Sequence, residues 1–203
     1  MENFDYDSDL IGGSLQVREC RVIADLLIRQ VDASTWHHEI QQENRLQKRS
    51  GATARRIAQA LRKRLERLPP PFWRALVEGD EELATQIAFC AALERNLLLV
   101  EFIETTVRDA FITHAAKLES WQWNEFLEDR AHRDPAISHW AETSRRKMGQ
   151  VVFRMMAEVG LLASTRNLAL QRMMVRPEII NLLESSDRQR LKACMEVSAA
   201  QYL

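Results

Sequence analysis

Residues 44–67, NRLQKRSGATARRIAQALRKRLER, constrain this chain more than any other stretch. Ala54, Ile57, Ala58, Leu61, Leu65 and Leu68 recur at helical spacing, so at about 100° per residue they form one apolar stripe. Arg55, Arg56, Gln59, Arg62, Lys63 and Arg67 fall on the other side. A helix of this kind must lay its stripe on a hydrophobic body and leave the opposite face in water. Ser50 and Thr53 are both suited to cap its start, and Gly51 loosens the entry.

The same stretch holds nine basic residues against one acid, Glu66, a net charge of +8. Residues 1–43 carry a net −6 and residues 68–203 a net −3, so a chain of net charge −1 gathers its positive charge in one segment. A local field of that kind attracts phosphate. The plain alternative is a solvated basic face. Solvated helices usually mix signs to gain i,i+4 pairs, however, and the scarcity of acids favours nucleic-acid binding. The expected contacts are Arg45, Lys48 and Arg49 in the approach, then Arg55, Arg56, Gln59, Arg62, Lys63 and Arg67 on the helix.

The remainder of the chain reads as helix. Six glycines and five prolines in 203 residues, with 46% hydrophobic and 28% charged, describe a folding chain built from good helix formers. The expected fold is all-α, a compact multi-helix bundle. Residues 1–13 read as an extended acidic lead, Ser14 as the cap of a helix to about Gln30, and Asp32 or Ser34 as the start of a short second helix to about Asn44. Helix, short helix, basic helix is the order of a helix-turn-helix unit, whose last helix enters the major groove. That unit is expected over residues 1–68. Pro69, Pro70 and Pro71 then end the basic helix and are the best linker in the chain, and a short helix is expected from Phe72 to Val77 with Pro71 near its start.

Residues 72–203 are expected to form a helical core. Asp80 caps a long apolar region that should break near Asn96, and Trp121 to Leu127 lie on a further helix. Asp134-Pro135 starts the next helix, which should end at Gly160. This helix carries Arg145, Arg146 and Lys147, expected as a secondary phosphate-binding surface together with Arg172. The stretch after Gly160 fits either a winged helix with a minimal wing, giving a second helix-turn-helix around residues 135–180, or simply more helix. Pro177 and Asp187 open two final helices.

Several chemistries have no signature. No phosphate-binding glycine loop, dinucleotide fingerprint or nucleophile elbow occurs. His37-His38-Glu39 lacks a third ligand at helical spacing, so no metal is expected, nor any cofactor. Cys20, Cys90 and Cys194 are isolated and read as reduced core residues. No window approaches the roughly 18 apolar residues of a membrane span. A non-enzymatic, cytoplasmic protein, monomeric or weakly oligomeric, is expected.

Gly12-Gly13, then residues 44–50 (NRLQKRS) leading into Thr53-Ala54-Arg55-Arg56, Arg64 with Leu68, and Leu99-Val100-Glu101-Phe102 together resemble the BrxA-type proteins of bacteriophage-exclusion (BREX) defence systems. The resemblance covers residues 10–115 best. It implies a small helical protein that binds nucleic acid and works beside other phage-defence proteins, among them a DNA methyltransferase and an ATPase. Duplex DNA is the expected ligand, because the A-form major groove is too narrow for a helix. The alternatives are RNA on the same basic face, or a protein-interaction module.

Overall fold

The computed structural model describes residue 6, residue 10 and residues 13–202. The acidic lead expected over residues 1–13 therefore lies mostly outside the described residues. The elements run α1 (Val17–Ile28), α2 (Ala33–His37), α3 (Gly51–Leu65), α4 (Pro70–Glu78), α5 (Glu81–Arg95), α6 (Leu97–Phe102), α7 (Arg108–Ile112), α8 (Gln122–Ala131), α9 (Glu142–Glu158), α10 (Pro177–Ser185) and α11 (Gln189–Met195). Wide π-type turns at His38–Gln42 and Ile103–Val107 prolong α2 and join α6 to α7. Tighter 3₁₀ turns occupy Pro135–His139 and Val197–Tyr202. No strand occurs among the described residues, and the protein is all-α as expected.

The chain forms two compact units. Leu15–Arg95 with Arg176–Asp187 make one; Met1–Ser14, Asn96–Val175 and Arg188–Leu203 make the other.

In the first unit α1 packs on α3 and α4, and α5 packs on α1, α3, α4 and α10. Ten of the fifteen residues of α5 are buried, Leu83, Ile87, Phe89, Cys90 and Leu93 among them, which is why its sequence lacks a polar face. The short helix expected over Phe72–Val77 is present as α4, but Pro69, Pro70 and Pro71, expected as a linker, lie inside one packed unit. Pro70 stands at the first position of α4, where its missing N–H costs nothing, and Phe72 and Leu76 are buried. Trp73 Nε1 donates to the Leu65 carbonyl at 2.8 Å and ties α4 back to the end of α3. The expected cap at Ser14 is not used. Gln16 precedes α1 with φ 53° and makes no side-chain cap.

In the second unit Asn96 leaves helical geometry and its side chain accepts from Leu99 N at 3.1 Å, opening α6 where the break was expected. Phe102, Trp123, Phe126 and Phe153 form the aromatic centre, with edge-on pairs at 5.1 to 6.1 Å. Buried Glu101 accepts from Tyr6 Oη at 2.7 Å and pairs with Arg130 at 2.6 Å and Arg133 at 2.9 Å. Burial and the hydrogen bond to Glu101 push the Tyr6 phenol well above its usual range.

Asp134-Pro135 does open a helix, but a short 3₁₀ turn that stops at Trp140 before α9 begins. α9 ends as expected. Gly160 has φ 88°, and Leu161 N donates to the Met156 carbonyl at 2.8 Å, a Schellman closure. The residues that follow are not further helix. Ala163 N donates to the Ala169 carbonyl at 2.9 Å and Gln171 N to the Leu161 carbonyl at 2.9 Å, a small hairpin. Leu118 N to the Leu168 carbonyl (3.0 Å) and Leu170 N to the Ala116 carbonyl (3.1 Å) add a third piece.

Candidate nucleic-acid interface

α3 places its residues much as its periodicity dictates. Ser50 Oγ accepts from Thr53 N at 3.2 Å, fixing the first turn. Ala54, Ile57, Ala58, Leu61, Leu65 and Leu68 are all buried, and Arg55, Arg56, Gln59, Arg62, Lys63 and Arg67 are all exposed. Arg64 departs from the basic face: it sits three residues past Leu61, on the stripe side, and is only 6% exposed.

The approach to α3 behaves differently from expectation. Arg45 Nη1 contacts Glu39 at 2.7 Å and Asp25 at 3.0 Å, while Arg29 reaches the same two carboxylates at 3.0 and 3.2 Å. These four charges join α1, the π turn and the loop before α3. The hydrogen bonds from Arg45 and Arg29 hold the Glu39 carboxyl below its usual range. Lys48 Nζ donates to Glu19 at 2.7 Å. Burial opposes ionisation of Glu19, but the Lys48 bond, a backbone amide and the Lys48 and Arg18 charges outweigh it and keep its carboxyl low. Asn44, itself left-handed at φ 48°, closes the loop by donating to the Lys48 carbonyl and accepting from Lys48 N. Arg45 and Lys48, expected on phosphate, are therefore neutralised within the protein. Their acidic partners lie six to 29 residues away, so the local run of positive charge could not reveal the pairing.

The exposed cations also divide. Arg62 Nε donates to Glu66 at 2.6 Å and its guanidinium lies 4.6 Å from the centre of the Trp36 ring, so it is aimed by both. Arg49, Arg55, Arg56 and Lys63 have no ion pair or side-chain hydrogen bond among the described residues. Arg55, Arg56 and Lys63 share the exposed side of α3 with Gln59, and exposed Arg49 lies just before the helix.

The second expected patch is partly rewritten. Arg145 Nη2 donates to the Ile137 and Ser138 carbonyls, both at 2.9 Å, and so ties the Pro135–His139 turn to α9. Arg146 and Lys147 are exposed. Arg172 lies by a separate small hollow beside Phe111 and His114. Arg154 joins Arg146 instead, and both line one groove with Gln150. The spacing of Arg146, Gln150 and Arg154 at i, i+4 and i+8 is the signal that could have found it.

Residues 4–187 match the family model described as BrxA. The chain belongs to the BrxA family. It is 34% identical over 193 residues to the BREX protein BrxA of Paramagnetospirillum magneticum strain AMB-1, covering 95% of this chain and 97% of that protein. Against the BREX protein BrxA of Escherichia coli O9:H4 strain HS the identity is 33% over 188 residues, covering 93% and 88%. A crystal structure of an uncharacterized protein from Magnetospirillum magneticum superposes with a TM-score of 0.88 at 32% identity, covering 95% of this chain and 99% of that one. The resemblance seen best over residues 10–115 thus extends over nearly the whole BrxA-family chain.

Among the described residues no three His, Cys, Asp or Glu side chains are placed to share a metal. No single helix there is long and apolar enough to cross a membrane. The three cysteines are buried and form no disulfide, and burial pushes the Cys20 and Cys194 thiols up to about 12, far from thiolate.

Proposed function

We propose that this BrxA-family chain binds duplex DNA through α3, as a non-catalytic accessory of BREX phage defence in the cytoplasm. One observation carries the reading: α3 buries its whole apolar stripe while holding Arg55, Arg56 and Lys63, with Arg49 just before it, in solvent without counter-charges among the described residues. A bare helix of this width fits the B-form major groove. Helix, short helix and basic helix follow in the order of a helix-turn-helix. In that docking Arg55, Arg56 and Gln59, on the first two turns, meet base edges, whereas Arg62, Lys63 and Arg67 lie over phosphates. The Pro135–His139 turn, α9 and the hairpin after Gly160 follow in the order of a winged helix over residues 135–180, which supports a weaker backbone contact through Arg146 and Lys147. The partners are then duplex DNA and other BREX proteins.

Competition decides between nucleic acids. Unlabelled duplex DNA should displace a labelled duplex, while an equal mass of hairpin RNA should not. Stronger displacement by the hairpin would move the reading to RNA. Failure to bind any nucleic acid, with the helical fold intact, would leave the basic face to an acidic protein.

A further inference from the structure

The groove that holds Arg146 and Arg154 has an aromatic side that duplex docking does not use. It encloses about 660 Å³, within the usual range for small-ligand sites. Its rear wall is Trp123, 1% exposed, whose Nε1 donates to the Arg145 carbonyl at 3.0 Å. Gly149 lets that indole sit against α9, since a Cβ at this position would come within 2.7 Å of Trp123 Cδ1. The wall is therefore fixed by packing.

At the mouth stands Trp121, 57% exposed, one of four large apolar side chains left open among the described residues. Its backbone is held as the first turn of α8: its carbonyl accepts from Asn124 N at 2.9 Å and Glu125 N at 3.1 Å. Around it lie Asn124 and Gln150, whose side-chain amides have no hydrogen bond among the described residues. Arg146 and Arg154 are likewise without a counter-charge there, and no Asp or Glu lines the groove. The site thus offers a planar stacking surface, amide donors and acceptors, and a net positive charge.

A ligand that satisfies all three is planar, polar at its edge and anionic. We propose that this groove binds a nucleoside phosphate unit: an unpaired base on Trp121, its edge read by Asn124 and Gln150, and the adjoining phosphate between Arg146 and Arg154. The unit can come from an unpaired nucleotide in a strand or from a free mononucleotide, which share this chemistry. Stacking on an aromatic ring is indifferent to base identity, so little preference among bases is expected from the indole.

The test uses the full chain, two labelled duplexes that differ by one unpaired adenosine, and AMP and inorganic phosphate as small probes. The unpaired nucleotide should tighten binding about tenfold or more. Trp121→Ala should remove that gain without weakening the paired duplex, Trp121→Phe should keep most of it, and Arg154→Gln should reduce it. Direct AMP binding that exceeds phosphate binding and is lost in Trp121→Ala, without a gain from the unpaired base, also supports the site and assigns it to free nucleotides. Equal affinity for the two duplexes together with AMP no tighter than phosphate overturns the proposal. A gain that survives Trp121→Ala overturns it as well. The duplex reading is separable: loss of paired-duplex binding on neutralising α3, with AMP binding unchanged, leaves both standing, whereas AMP binding by a wild-type chain that ignores paired duplex removes only the α3 reading.

Discussion

Arg45 and Arg56 belong to the same basic run, yet the fold gives them opposite tasks. Arg45 is spent on Asp25 and Glu39, whereas Arg56 faces water without a partner among the described residues. Arg45→Ala is thus expected to lower unfolding free energy by about 1–2 kcal/mol, because it leaves two carboxylates sharing only Arg29. Denaturant unfolding measures this, and duplex affinity of the folded fraction should change little. Arg56→Ala should leave stability alone, cost roughly 1–3 kcal/mol of binding and flatten any sequence preference across a panel of duplexes. The acid side of these pairs predicts a pH effect. Glu19 and Glu39 are held below their ordinary value of 4.5. A carboxyl depressed in the folded state adds stability above its ordinary pKa and loses it as pH falls through the folded value. The melting temperature should therefore be level near neutrality and fall below about pH 4.5, and less steeply in the Lys48→Ala variant.

At the scale of elements, several helix starts were legible from a local side chain, although Ser14 does not cap α1 and α11 begins two residues past Asp187 without a side-chain cap. Asp32, Ser50 and Asp80 accept from the backbone N–H three residues on, as their positions suggested, and Asn96 does the same at the break expected near it. Gly160 ends α9 for an equally local reason. What escaped was built from distance. The Pro135–His139 turn stops at Trp140 and is held to α9 by Arg145. The hairpin after Gly160 depends on pairing with residues 116–118, some fifty positions earlier. The π turns widen helices whose sequence reads as ordinary α-helix. In the candidate site, the exposed face of α3 was legible from periodicity, but the neutralisation of Arg45 and Lys48 was not. Two element-level outcomes follow. Ser50→Ala should cost about 1 kcal/mol of stability by uncapping α3. Gly149→Ala should cost about 1–3 kcal/mol, since α9 or the Trp123 ring must move to admit the new methyl; loss of near-ultraviolet dichroism from that indole would report it.

For the whole molecule, a net charge of −1 conceals the feature on which function is proposed to rest. Most of the positive charge between residues 44 and 67 that is left unspent by internal pairs lies on one face of one helix, and BrxA-family membership places the chain among BREX proteins. The central claim is that this face neutralises phosphate on duplex DNA. Its most direct test is the slope of log affinity for a duplex against log salt concentration, measured for the wild type, for Lys63→Ala and for Arg56→Ala combined with Lys63→Ala. The wild type should bind less tightly as salt rises, with a slope of about −0.9 for each phosphate neutralised. Lys63→Ala should weaken all duplexes alike and reduce the slope by about one, and the double variant should bind at least about tenfold more weakly with helical content unchanged. Wild-type affinity and slope in the folded double variant would contradict the account and remove α3 from the interface.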